Sequence, residues 1–573
     1  MPSTKRISSF RYLVMILIVT VLSFGPGFGM WQGNDGSSLQ SAFAMKGGGG
    51  PILSLTCSPL SSTSIFVDST ASPGGDGTFS APYRGVVPAA SHLLMDSSVE
   101  TVCFTGHLYG TLGLEDAASS ELTLTSYGGG ATLEHAPGAG DYVLLVEQPS
   151  NLTSLTVSDL SLVGINVFED LTDLNIKDVN VDTAGLSIGM DMDSNTNVTI
   201  ENLDMSDSTE ELLRIRYSSY LEMDNVMLAY GGQNGTDAAL FLYDIDDVSM
   251  TEVVITDPLG KEGLHASQVD DISMSEVAVF RAANDAMEFS NSAIIYMSQT
   301  IIFDSLGSHI RIDDFTDFTI EDSYLYGSTY DSISADYGGS AVITSTTIYE
   351  SGAEGIGIFD VESVDIYDNR IEFYTDEAIH INTAGEVLIN SNKIQAPVAQ
   401  SGSRGIKMRS VDVGLIKNNF IVDTERALYL DNNGAISFLN NSFSGNDVAL
   451  YATSTAADSI TSKNNAFYCV DSGDEAYNWD SSRDESISLD SDYNLFEGCD
   501  VANSENDLID WQADWGYDTN SLEGIVFFIS SSDLHIGALS DALGAGTPVG
   551  DVSTDIDGDA RDASAPDIGA DEA

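Results

Sequence analysis

Positive charge is what this chain lacks. Its 573 residues carry 21 Lys and Arg against 88 Asp and Glu, a net charge of −67. Such a surface repels nucleic acid and anionic membranes, so neither is an expected partner. Proline is scarce at 13 residues and cysteine at four, and there is one long apolar run, near the N-terminus. No zinc-spaced Cys/His set, phosphate-cradling Gly-rich loop or nucleophile elbow is present, which removes those site classes. Hydrophobic residues at 42% nevertheless argue for a packed core rather than disorder. The acidic excess suits a salt-adapted surface, with decoration by calcium as the functional alternative.

A repeat organises the chain. Val364-Asp-Ile-Tyr-Asp-Asn-Arg-Ile371, Val387-Leu-Ile-Asn-Ser-Asn-Lys-Ile394, Gly414-Leu-Ile-Lys-Asn-Asn-Phe-Ile421 and Ile436-Ser-Phe-Leu-Asn-Asn-Ser-Phe443 carry it, and Asn-Asn-Ala-Phe467 closes a fifth copy. Asn369, Asn392, Asn419, Asn441 and Asn465 recur at spacings of 23, 27, 22 and 24. Between them lie second short strands, such as Ala378-Ile-His-Ile381 and Gly405-Ile-Lys-Met408. The period-2 alternation predicts strands, and a unit of about 23 residues has no room for a crossover helix, so the strands stack as coils of one solenoid. Asn at one turn per coil can bond its counterparts above and below and tolerates left-handed backbone. The pattern resembles the right-handed parallel β-helix proteins of the pectin-lyase-like superfamily. The expected fold is therefore all-β, a single-stranded solenoid of about thirteen coils, roughly 60 Å long at ~4.8 Å per coil.

Residues 1–44 read as an export signal: Lys5, Arg6 and Arg11 precede the apolar stretch Leu13 to Phe24, and Ala42-Phe43-Ala44 offers a cleavage site. An uncleaved anchor is the alternative; no other segment could span a membrane. A linker over 45–62, an opening strand and cap over 63–110, the solenoid over 111–470 and C-terminal coils with a tail over 471–573 complete the division. The opening segment, with Val102-Cys-Phe-Thr-Gly106, resembles the first coil of secreted β-helix proteins, although Pro88 interrupts the apolar helix expected there. Asp159, Asp178, Asn202 and Asn225 are placed at the turn where the later ladder stands. The tail, with Asp555-Ile-Asp-Gly-Asp-Ala-Arg561 and Pro566-Asp-Ile-Gly-Ala-Asp-Glu572, resembles that of bacterial choice-of-anchor β-helix proteins. Four Cys suit an oxidising compartment: Cys57 with Cys103 and Cys469 with Cys499 are the natural pairs, and free buried thiols the alternative. An extracytoplasmic monomer is expected.

Alternation places one outward column at His265, Glu288, Arg311, Ser334, Gly357, His380, Lys407, Tyr429 and Tyr451, and another at Ser267, Ser290, Asp313, Asp336, Phe359, Asn382, Arg409, Asp431 and Thr453. Arg311, His380, Lys407 and Arg409 stand out in so acidic a chain. The resemblance implies polysaccharide as partner. A lyase would use Lys407 or Arg409 as base, with Asp313 and Asp336 holding Ca²⁺. A glycoside hydrolase needs paired carboxylates; Gly405-Ile-Lys-Met-Arg409 resembles a polygalacturonase phrase with its bases exchanged, but that family's acidic coils have no counterpart here. The bland alternative is that these cations merely offset neighbouring carboxylates on a non-catalytic surface or adhesion solenoid. Tyr429, Tyr451 and Phe359 could stack on sugars. Asp555, Asp557, Asp559 and Asp562 invite a calcium reading, yet Gly558 falls fourth rather than sixth, so a turn closed by Arg561 is expected instead.

Overall fold

A computed structural model describes residues 57, 62–136, 141–183, 185–397, 401–453, 457–471, 473–479, 488–502 and 507–573. The expected export signal lies outside these residues, as does most of the expected linker. All strand pairing between coils is parallel, running from Ser64–Asp68 to Leu522–Glu523. The solenoid has about 17 turns, not thirteen. The shortfall arose where coils such as Glu121–Glu134 lack the asparagine phrase, and where its spacing lengthens, as in the 29 residues from Asn465 to Asn494.

Most central coils turn at three corners, each of them one residue in the left-handed region. In one coil these are Asn291, Gln299 and Asp304, with φ of 51°, 53° and 56°; in another they are Asp360, Asp368 and Phe373. A single such residue redirects the strand without a loop, so inward apolar residues stay aligned from coil to coil. The result is one continuous core, with Ile312, Ile358, Ile381, Met408 and Leu430 among its fully buried members.

The asparagines stack inside one corner. Asn392 donates from its backbone N to Asn419 Oδ1 at 2.9 Å and from Nδ2 to the same atom at 3.0 Å, and Asn369, Asn419 and Asn441 repeat the arrangement on their neighbours. The column extends beyond the five residues: Asn465 bonds Asn494 Oδ1, and Asn494 N donates to Ser521 Oγ. Towards the N-terminus Thr346 N bonds Asn369 Oδ1 and Thr300 N bonds Ser323 Oγ. Asp159, Asp178, Asn202 and Asn225 are not in this column. They have φ of 52° to 56° and occupy the corner position itself, one residue earlier, which favours the same side-chain types for a different reason.

Helix α1 (Val86–Leu93) covers the N-terminal end, with Val86, Ala89 and Leu93 buried. Pro88 does not break it: as the third helical residue it sits in the first turn, where the backbone N–H has no intrahelical partner to lose. Helix α2 (Leu508–Trp515) joins the core through Leu508 and Trp511 near the other end. Two disulfides, Cys57–Cys103 and Cys469–Cys499, pin these regions. No helix among the described residues is long and apolar enough to cross a membrane.

The C-terminal tail folds back along the ladder corner. Leu534, Ile556 and Ala570 pack on Phe420 and Val422. Asn418, Asn440 and Asn464, all at left-handed corners, donate to the carbonyls of Thr554, Asp567 and Thr547. Arg561 closes this segment mainly on backbone carbonyls, those of Thr554, Asp567, Gly569 and Asp571, with Glu572 as its carboxylate.

Candidate acid–base site on the solenoid face

The outward columns are built by register. His265 lies opposite Glu288, Glu288 opposite Arg311, Arg311 opposite Ser334, Ser334 opposite Gly357, Gly357 opposite His380, His380 opposite Lys407, Lys407 opposite Tyr429, and Tyr429 opposite Tyr451. The second column likewise pairs Asp313 with Asp336 and Arg409 with Asp431.

A third column, missed in the sequence, lies three residues before the first: Glu262, Asp285, Asp331, Glu354, Glu377 and Arg404. Glu262 and Glu377 are 3% exposed. Simple alternation would turn these residues away from the outward set. A small residue next in the chain makes the position possible. A Cβ on Gly263, Gly355 or Gly405 would stand 2.6 Å from the carbonyl oxygen of Ala286, Ala378 or Ala427 in the next coil. That close approach draws the preceding acid alongside the outward residue. The signal was legible as acid–small–apolar–x in Glu262-Gly-Leu-His265, Asp285-Ala-Met-Glu288, Glu354-Gly-Ile-Gly357 and Glu377-Ala-Ile-His380.

Where the columns meet, opposite charges converge. His380 Nδ1 is 3.2 Å from Glu354 Oε1, and the Glu354 backbone N–H donates to Asp331 Oδ1 at 3.1 Å. Glu377 pairs with Arg404 and with Lys407, whose Nζ is 3.2 Å away. Burial, and then Glu354 beside it, hold the Asp331 carboxyl above the usual aspartate range, while the hydrogen bond to His380 holds Glu354 below its own. Asp336 is pushed up to about 6 by burial and by Asp313. Folded Asp331 thus keeps a proton that the unfolded chain releases. Its stability contribution is present below the ordinary aspartate pKa of about 4 and is lost as pH rises above it. Asp331→Asn is expected to flatten the fall in melting temperature on the alkaline side of that value. An unchanged pH slope would count against this assignment.

The remaining candidates are more dispersed. Arg311 is half-exposed and 3.6 Å from Asp313, and Arg409 is 3.5 Å from Asp431. Tyr429 and Tyr451 stack on each other at 5.3 Å, with Arg404 and Arg426 over Tyr429 and Arg426 over Tyr451. Their faces are therefore occupied within the protein, and Phe359 packs edge-on to His380. Among the described residues three groups bring at least three potential metal ligands within 4.8 Å of one another: Glu262/His265/Glu288, Glu354/Glu377/His380 and His535/Asp557/Asp571. Neither Asp313 nor Asp336 belongs to any of them.

Residues 308–467 match the family model described as "Right handed beta helix region". No curated protein matches the chain. Among solved structures, pectate lyase Pel9A is similar at 14% identity over 89% of this chain and 96% of that one, with a TM-score of 0.22. The GH136 lacto-N-biosidase from Eubacterium ramulus is similar at 9% identity over 74% and 67%, also with a TM-score of 0.22. At such scores neither likeness bears on the site. The parallel coils and the matched central segment make this chain a right-handed parallel β-helix protein.

Proposed function

We propose that this is an exported protein whose solenoid face, at a local cluster of cations that offsets the repulsion from its acidic surface, contacts acidic extracellular polysaccharide and cleaves it at His380. The carrying observation is the convergence of a carboxylate-oriented imidazole with two cations. Glu354 fixes His380 through Nδ1, leaving Nε2 to take the proton from the carbon next to a uronate carboxylate; the electron pair left behind forms a ring double bond as the glycosidic C–O bond at the adjacent carbon breaks, and the departing oxygen takes a proton from solvent. Arg404 and Lys407 supply positive charge for that carboxylate. Lys407 itself is a poorer choice of base, since its nitrogen is engaged by buried Glu377. Arg311 and Arg409 would meet the substrate on either side.

Calcium enters this reading only as a variable. Asp313 and Asp336 offer two carboxylates, one already paired with Arg311, against the six to eight oxygens that Ca²⁺ takes, so no step is routed through it. The two disulfides suit an oxidising exterior.

The test is ultraviolet absorbance of unsaturated product from a panel of uronate polysaccharides, with Ca²⁺ and with chelator. His380→Ala is expected to lower the rate by about 10²–10⁴-fold, and Lys407→Ala to weaken substrate binding more than turnover. A flat trace across the panel would sink the enzymatic reading. It would leave the non-catalytic surface solenoid, which the saturation of Glu377 by Arg404 and Lys407 favours.

A further inference from the structure

We propose that Glu262, His265 and Glu288 form a site for one divalent cation of the zinc class, at a place on the solenoid face separate from His380. Glu262 and His265 lie on the strand Glu262–Ser275, and Glu288 stands directly opposite His265 in the next coil. His265 Nδ1 is 3.4 Å from Glu288 Oε2 and 3.7 Å from Glu262 Oε2. A tetrahedral ion with bonds of about 2.0–2.2 Å to nitrogen and oxygen sets its ligands roughly 3.3–3.6 Å apart, so the separations are close to those such an ion requires.

Two further observations point to a cation. Glu262 is 97% buried (3% exposed), and its Oε1 is held by the ammonium of Lys261 rather than by a neutral hydrogen-bond donor. A desolvated carboxylate facing a second one is costly without positive charge between them. That charge now comes from Lys261, whose Nζ lies 3.0 Å from Glu262 Oε1 and 3.4 Å from Glu288 Oε2. Its side chain is half-exposed and long, so it can swing away when an ion enters. The imidazole is held in place by Phe241, the residue opposite it on the preceding coil, with ring centroids 5.4 Å apart.

The other two groups are held more firmly than by one half-exposed lysine. Glu377 is taken by Arg404 and Lys407. His535 uses both ring nitrogens on Asp533 and Asp557, and Asp571 accepts from the Ile536 N–H. One imidazole nitrogen with two carboxylates selects a borderline ion such as Zn²⁺ over Ca²⁺, which prefers an all-oxygen shell of higher number. Three protein ligands also leave a coordination position for a group from solution.

The experiment is calorimetric titration of the chelator-treated full chain with Zn²⁺, and in parallel with Ca²⁺, alongside thermal melts. One equivalent of Zn²⁺ is expected to bind and raise the melting temperature, with Ca²⁺ far weaker. His265→Ala and Glu288→Gln are expected to weaken Zn²⁺ by about a hundred-fold or more. His380→Ala and His535→Ala should bind as the parent does, and Lys261→Ala should bind at least as tightly. If His265→Ala fails to fold, Glu288→Gln and Lys261→Ala carry the decision. No saturable binding, unchanged affinity in Glu288→Gln, weaker binding in Lys261→Ala, or loss in His380→Ala or His535→Ala would each overturn the site.

Discussion

Replacing Asn419 with alanine is expected to destabilise the solenoid by about 3–5 kcal/mol. The side chain is fully buried. Its Oδ1 receives both the backbone N–H and the Nδ2 of Asn392, and its Nδ2 donates to the carbonyls of Ile389 and Lys417 and to Asn441 Oδ1. Alanine leaves several of these groups buried and unpaired, each at a cost of about 1–3 kcal/mol before relaxation. Urea denaturation followed by circular dichroism provides the measurement. Asn197→Ala, an exposed position with one bond to Asp173, is the control and should stay within about 0.5 kcal/mol. A loss below 1 kcal/mol for Asn419→Ala would mean that the column is a by-product of the fold and not one of its supports.

Arg561→Ala is expected to free the C-terminal tail from the solenoid while the coils stay folded. The guanidinium is nearly buried, at 3% side-chain exposure. It donates to the carbonyls of Thr554, Asp567, Gly569 and Asp571 and to Asn418 Oδ1. Removing it strands those acceptors and opens a cavity, a local loss of about 3–5 kcal/mol by the cost of uncompensated buried polar groups. Hydrogen exchange should rise across residues 528–573, and Phe420 and Val422 should become accessible, with the protection of the central coils unchanged. Arg561→Lys should rescue little, because an ammonium cannot reproduce the planar fork that reaches several carbonyls at once. Identical tail protection in parent and variant would refute this role.

Much of the molecule could be read from its sequence where one residue type does one physical task per coil. The ladder asparagines announced themselves because a buried amide that must bond both neighbours has few substitutes. The outward columns followed from alternation alone, and His380 and Lys407 fall in adjacent coils as that pattern requires. Glu262, Glu354 and Glu377 were not found, because their position depends on how closely a glycine or alanine lets the next coil approach. The tail was singled out only by resemblance, and its packing on Phe420 could not be read, since docking of a segment more than a hundred residues away leaves no local periodicity. Asn202 and Asn225 were misplaced by one residue because a left-handed corner and a ladder rung favour the same amide.

The constancy of the register bears on how such a chain can change over generations. From Glu288 through Arg311, Ser334 and Gly357 to His380, each coil advances by 23 residues with no slip in pairing. Excising one such unit from the gene would rejoin like with like: the core would close, and the rod would shorten by ~4.8 Å. Losing a single residue would instead turn the following strand inside out up to its next corner. Unequal recombination between neighbouring units is thus tolerated, whereas small frame-preserving indels within a strand are purged. Length in this lineage should therefore drift in whole coils, and the span between His265 and His380 should be a quantity that selection can reset one step at a time.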